Sequence, residues 1–370
     1  MSTQGEPKSV MIEEEEKIEG LGRDEDTGWG DYPIDTLLIR NEQRTVFDIV
    51  RRIEQGSFVM DPDFQRAFIW PPDKQSKLIE SVLMRIPLPV FYLAEDLQGR
   101  MVVVDGLQRL TTFKRFLNNE LILELPKQSE LNGKSFEKLS PKLQNRVEDC
   151  NLILYIVDTK VPERARLDIF ERVNGGVPLT RQQMRNCLYM GEATKFLRTE
   201  ASTELFKKTT GYSLKTETMR DREFVNRFCA FQLLKLDDYK GDMDDFLART
   251  LIYMNTLSQE QFTTLSDEFR NALMNNQFVF AEHAFRKHNP TQSRRSILNA
   301  SLWDVMCTRL SRISNDRIRA NTDILRARYN ELMAKDYAFV ESITIGPNTT
   351  KQVRYRFKAI QQMLEGIFNV

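Results

Sequence analysis

The segment Met101–Leu117, MVVVDGLQRLTTFKRFL, carries the residues whose types and spacing bear most directly on chemistry. Four apolar residues with the pattern of a buried strand end in Asp105–Gly106, and a helix with apolar positions Leu107, Leu110, Phe113 and Leu117 follows at once. Gly106 at the junction lets the backbone turn tightly and lets a ligand approach closely. The N–H groups of the first helical turn, aided by the helix dipole, suit an anion such as phosphate. Gln108 and Arg109 fall in that turn and off the apolar stripe, so both can reach the same anion, Arg109 through charge-assisted, bidentate bonds. Asp105, at the C-terminal end of the strand, can hold Mg²⁺ or position a water. An ordinary helix start has the same pattern, and spacing alone leaves both readings standing.

Other polar groups could join this loop. Gln65 and Arg66 follow an extended stretch and precede Trp70. They can contact a phosphate or ribose; equally, Arg66 can stack on Trp70 or pair with Asp63. Arg172 and Asn174 end a helix whose apolar face is Leu167, Phe170 and Val173. They can reach the ligand of the first loop, or Asn174–Gly175–Gly176 can serve as a helix cap and tight turn. Arg185 and Asn186, on the next helix, are weaker candidates for the same ligand and read first as salt-bridge and capping residues. Arginines 294, 295, 309, 312, 317, 319, 326 and 328 make either a solvated helix face or a track for DNA phosphates.

Two patterns are set aside. Gly133–Lys134–Ser135 contains the end of a phosphate-loop motif, but residue 128 is Gln where that motif needs Gly, and no strand leads in. His283 and His288 are the only histidines and match no HNH pattern, so both read as surface or packing residues.

The sequence resembles the GmrSD-type restriction-system N-terminal domain family. VVDGLQRLTTF resembles its V-D-G-Q-Q-R-L-T-T-L signature, and DPDFQRAFIWPPDKQSKLIESVLMRIPLPVFYL its extended F-Q-R segment, helix and "IPLPP" strand. IFERVNGGVPLTRQQMRN resembles its "IFERLNTGGVPLTPQELRN" block, and DREFVNRFCAF, Phe285–Arg286–Lys287 and ASLWDV echo its helical half. The resemblance implies a ParB/sulfiredoxin-like fold and a nucleotide-handling module in prokaryotic defence against phage or modified DNA. It implies an NTP ligand and catalytic roles for Asp105, Gln108 and Arg109, with the Mg²⁺ that Asp105 can hold as a companion. Gly106, Gln65, Arg66, Arg172 and Asn174 would then bind the nucleotide, and Asp105 the metal. The expected function is a nucleotide-binding, NTP-hydrolysing regulatory subunit whose HNH nuclease or other effector is a partner. A ParB-like DNA-binding adaptor without turnover is the alternative. Two departures bear on this: Leu107 stands where the family has its first Gln, and the Thr of Asn-Thr-Gly-Gly is missing.

The elements that would position these residues follow from periodicity and punctuation. A short strand at Asp35–Arg40 precedes a helix capped by Thr45, with stripe Val46, Ile49, Val50 and Ile53, stopped by Gly56. Phe58–Arg66 is extended. Pro71 and Pro72 open a helix with Leu78, Ile79, Val82 and Leu83 on one face. Strands follow at Val90–Ala94, Met101–Val104 and Leu152–Val157, the last two read as buried throughout. From residue 163 the pattern is helical: 163–173, 180–190, 221–236, 242–257, 259–274, 298–312 and 316–334, then a strand-like Ala338–Ile345 and a final helix from Thr350. The expected class is α+β, with a disordered acidic tail over 1–30, a small α/β domain over 31–162 and a helical domain over 163–370.

Composition sets the outer bounds. The 370 residues are 41% apolar and 29% charged, which excludes collagen, rods and wholly disordered chains. Net charge is zero, but residues 1–30 hold nine acids against three bases, leaving 50 bases and 44 acids in the rest. Leu152–Val157 is the longest apolar run, far short of the ~20 residues of a membrane span. The N-terminus lacks the regions of a secretory signal, and the four cysteines form no CxxC pair, so a reduced, cytoplasmic protein without membrane contact is expected.

Overall fold

A computed structural model describes residues 18–21, 39–60, 70–96, 98–173, 180–287 and 296–368. The chain is α+β and divides into two compact units. One lies within residues 26–194; the other takes residues 18–21 and the chain from Lys195 onward.

In the first unit, β1 (Ile39–Thr45) runs directly into α1 (Val46–Glu54). Thr45 accepts a hydrogen bond from Asp48 N at 3.2 Å, and Val46, Ile49, Val50 and Ile53 are buried, as their spacing requires. After β2 (Phe58–Val59), α2 (Pro72–Leu83) starts on its prolines and buries Leu78, Ile79, Val82 and Leu83. Then come β3 (Phe91–Glu95), β4 (Met101–Asp105), α3 (Leu107–Leu117), α4 (Pro141–Glu148), β5 (Asn151–Val157), α5 (Glu163–Val173) and α6 (Arg181–Leu188). The five strands lie in the order β1-β5-β3-β4-β2. β1/β5 and β3/β4 are antiparallel, whereas β5/β3 and β4/β2 are parallel.

One sheet face holds Phe91, Leu93, Val103, Leu152, Leu154 and Ile156 against Ile49, Ile79, Leu110 and Phe113 of the first three helices. On the other face α6 packs on β4, with Val104 against Phe170, Met184, Cys187 and Leu188. These contacts keep α5 and α6 with the sheet, so the division of the chain falls at Thr194, beyond the change of pattern at residue 163. β5 corrects one expectation. It is not buried throughout: Ile153 is 38% exposed and Tyr155 half-buried, because this second face is covered at Ala94, Val102 and Val157 but not at Ile153.

The second unit comprises α7 (Glu192–Ala201), which carries the division, α8 (Glu204–Thr210), α9 (Arg220–Leu233), α10 (Met243–Met254), α11 (Gln259–Phe280), α12 (Ala300–Leu310), α13 (Asn315–Ala320), α14 (Thr322–Lys335), α15 (Tyr337–Ser342) and α16 (Thr350–Phe368). Its core centres on Trp303, whose Nε1 donates to Phe224 O at 2.7 Å and whose ring meets Phe206, Phe224, Phe269 and Phe285. Next to it, fully buried Asp304 accepts from Arg227 at 2.8 and 2.7 Å and from Arg356 at 3.0 Å.

Three expectations change here. Residues 316–334 are two helices, broken at Asn321, whose φ of −122° and ψ of 17° leave helical space. Ala338–Ile345 is not a strand: Asp336 caps Phe339 N at 2.9 Å, and the β-branched run folds as α15 with Phe339 and Ile343 buried. Residues 18–21, expected to be disordered, are docked in this unit. Glu19 N donates to Leu298 O at 2.9 Å, Ala300 N to Glu19 O at 2.8 Å, and Asn348 Nδ2 to Leu21 O at 2.9 Å. No described helix is long and apolar enough to cross a membrane.

Candidate functional site

β4 ends at Asp105 and α3 starts at Leu107, so Gly106 alone makes the turn, at φ +101°. A Cβ at this residue would come within 2.3 Å of Phe91 Cδ1 and 3.3 Å of Arg109 Nη2. Only glycine fits both the angle and the space. Just before the turn, Tyr92 pairs with Asp105 and Leu93 with Val103, so a bulge at Val104 re-aims the end of β4. Gly106 supplies no side-chain cap, and the first bond within α3 runs from Leu110 N to Gly106 O at 2.9 Å. The entrance of α3 has the dipole and the backbone N–H groups of a helix start, which suit an anion.

Arg109 does not stand off the buried stripe. It is 9% exposed and donates to Pro89 O, to Val90 O at 3.1 Å and to Asp105 Oδ2 at 2.9 Å, with its guanidinium 4.1 Å from the Phe91 ring centroid. Burial lowers its pKa from the ordinary guanidinium value, against the opposing pull of the Asp105 charge. The reason for the inward turn is local: residues 109, 112, 113 and 116 share the buried face of α3, and the carbonyls of Pro89 and Val90 need donors. Arg109 thus ties the approach to β3 to the end of β4 and fixes the Asp105 carboxylate. Asp105 is left with one oxygen held and the other, Oδ1, accepting no hydrogen bond among the described residues; its side chain is 35% exposed. A carboxylate so arranged can orient a water or ligate a cation.

Gln108 links the junction to α2. Its Oε1 accepts from Trp70 N at 3.4 Å, and Trp70 O accepts from Gln75 Nε2 at 2.8 Å. Gln75, only 1% exposed, also accepts from Arg115 Nη1 at 2.9 Å. Sequence reasoning missed Gln75, although an amide three and four positions before Leu78 and Ile79 marks a polar group on an apolar helix face. Lys74 Nζ, 4.4 Å from the Trp70 ring centroid, takes a cation–π place over that ring. Leu107 is partly buried and packs against the core.

Asp105, Gly106, Gln108 and Arg109 therefore share one junction. Arg172 lies exposed in the last turn of another element, α5. Gln65, Arg66 and Asn174 lie outside the described residues, as do His288, Arg294 and Arg295. Arg185 and Asn186 are buried on α6: Arg185 Nε donates to Gln182 Oε1 at 3.1 Å, Gln182 Nε2 to Asn186 Oδ1 at 2.8 Å, and Asn186 Nδ2 is buried without a partner among the described residues. His283 is partly buried beside Glu282, at 3.7 Å. Among the described residues, no three or more His, Cys, Asp or Glu side chains converge on a metal site. A Mg²⁺ ion at Asp105 would thus take one protein carboxylate and draw its other ligands from phosphate and water, which is a usual environment for this ion.

Among the described residues, five arginines of the run have contacts within the fold. Arg317 and Arg326 donate to the carbonyls of Phe368 and Val279, Arg309 and Arg319 lie over Phe357 and Phe278, and Arg328 pairs with Glu331 at 3.2 Å.

Residues 46–190 match the family described as GmrSD restriction endonuclease, N-terminal domain. The matched stretch lies within the sheet-bearing unit and contains the whole Asp105–Arg109 junction. No curated protein matches the chain.

Proposed function

We propose, with residues 46–190 belonging to the family of GmrSD restriction endonuclease N-terminal domains, that this chain is the nucleotide-binding, NTP-hydrolysing regulatory component of a restriction system. Its HNH nuclease or other effector is a partner. The observation that carries the reading is the Gly106 junction: a turn with no room for a Cβ, a helix start to which Gly106 gives no side-chain cap, and a carboxylate with one oxygen held by Arg109 and the other accepting no hydrogen bond among the described residues.

In this reading the phosphates lie at the entrance of α3, where backbone donors and the helix dipole offset their charge. The Gln108 amide, already tied to Trp70, flanks them. Asp105 Oδ1 accepts a proton from the attacking water and orients it, while Arg109 acts as a positioning residue that holds the carboxylate in place. Asp105 is also the carboxylate that would hold Mg²⁺, in place of a direct contact to the water, and the ion would supply positive charge that offsets the phosphates. With Leu107 partly buried against the core, Gln108 is the one amide of this pair of positions.

The test is phosphate release from ATP, GTP and CTP with Mg²⁺. Wild type turns over at least one of them, and Asp105→Asn lowers its rate by about 100-fold or more. Equal rates in the two proteins would remove Asp105 from the reaction. With the arginine run engaged as it is, no observation favours a DNA-binding adaptor over this reading.

A further inference from the structure

The row of residues that leads away from Asp105 across the sheet has no role in the account so far. Asp105 pairs with Tyr92 on β3, Tyr92 with Tyr155 on β5, and Tyr155 with Asn41 on β1. Adjacent strands are about 4.8 Å apart, so the two tyrosines stand roughly 5 and 10 Å from the loop. Their rings stack, with centroids 5.6 Å apart and planes 28° from parallel. Both are half-buried, and neither hydroxyl makes a hydrogen bond among the described residues. On their sheet face Ala94 and Val157 are buried, whereas Ile153, beside Tyr155, and Ile39 on β1 are exposed by 38% and 42%.

A stacked aromatic pair half-open on a sheet face has a flat π surface to offer but no fixed polar partner. A planar ring system matches that chemistry, and every nucleobase has one. Continuity in register with the phosphate loop puts this surface within reach of a single nucleotide. Asn41, exposed at the end of the row, adds an amide donor and acceptor for a base edge.

We propose that Tyr92 and Tyr155 form the stacking platform for the base of the nucleotide whose phosphates the Asp105–Gly106 loop holds. This rests on the nucleotide reading above. Affinity then has two separable parts, a triphosphate part at the loop and a base part at the tyrosines.

Calorimetric titration of the full chain with ATP, GTP, CTP and inorganic tripolyphosphate separates them. Tyr92→Ile and Tyr155→Ile keep strand-compatible side chains but remove the π surface, and Tyr92→Phe restores it. The Ile variants are expected to bind the preferred nucleotide about 5- to 100-fold more weakly, to bind tripolyphosphate as wild type does, and Tyr92→Phe to bind both like wild type. If one Ile variant fails to fold, the other and Tyr92→Phe decide. Wild-type nucleotide affinity in the Ile variants, or an equal loss for tripolyphosphate, overturns the platform and leaves the loop reading intact. Wild-type protein that binds neither nucleotide nor tripolyphosphate overturns both.

Discussion

Arg109 Nη2 lies 2.9 Å from Asp105 Oδ2, and the same guanidinium reaches the carbonyls of Pro89 and Val90 while covering the ring of Phe91. One side chain thus joins the approach to β3, the end of β4 and the first turn of α3. Arg109→Met would leave two carbonyls without donors and a carboxylate without its counter-charge. The expected loss is about 2–4 kcal/mol in urea unfolding, with Arg109→Lys intermediate because it keeps the charge but not the fork. A loss below about 0.5 kcal/mol in Arg109→Met would show that this pair does not hold the junction.

Gly106→Ala strains a residue at φ +101° and drives a Cβ into Phe91. We expect a cost of about 2–4 kcal/mol, from the left-handed backbone and the overpacking together. Phe91→Leu in the same chain should return part of it, because the clash is with the ring rather than with backbone. Additive costs in the two changes would argue against direct contact.

Asp48 makes a stability prediction in pH. Burial works to raise its pKa, but hydrogen bonds from Arg51 at 2.6 Å, Arg44 at 3.0 Å and Arg52 at 2.9 Å outweigh it and hold the carboxyl at about 2. The folded pKa is therefore below the ordinary value of 3.8. The stabilisation is full above about pH 4 and is lost as the pH falls toward 2. The stability gap between wild type and Asp48→Asn should be constant near neutrality and close through that window. A gap of the same size on both sides of it would contradict the arginine cluster as the cause.

In the helical unit, Asp304 serves two fully buried arginines, Arg227 and Arg356. Asp304→Asn would leave their charges without a counter-ion, at a cost of about 3–5 kcal/mol. Thermal unfolding is the check. A near-neutral effect would mean that carbonyl partners alone satisfy them, as Ser342 O and Pro347 O do in part for Arg356.

What was legible in the sequence is what short-range rules govern. Thr45 and the stripe Val46, Ile49, Val50 and Ile53 define α1 because a cap and a periodic face are local properties. The Asp105–Gly106 turn was legible for the same reason: an apolar strand, a glycine and a helix stripe adjoin in sequence. The orientation of Arg109 was not, because the carbonyls it serves lie 19 and 20 residues earlier and an arginine at that point reads as a surface group. Ala338–Ile345 misled by composition: its β-branched residues suit a strand, but the Asp336 cap and the burial of Phe339 and Ile343 favour a helix. Residues 18–21, Ile-Glu-Gly-Leu, look like tail because they lie within the acid-rich first 30 residues. Their order comes from Leu298, Ala300 and Asn348, which no local pattern reveals.

Hydrogen exchange of the amides from Asp105 to Leu110 shows whether the Asp105–Arg109 junction holds a nucleoside triphosphate. The exchange is followed on the full chain with and without ATP, GTP or CTP and Mg²⁺. One nucleotide is expected to slow exchange at Leu107, Gln108 and Arg109, the first turn of α3, more than along the rest of that helix. Nucleotide binding that leaves those three amides unchanged, or no binding of any nucleotide, would contradict a nucleotide site at this junction.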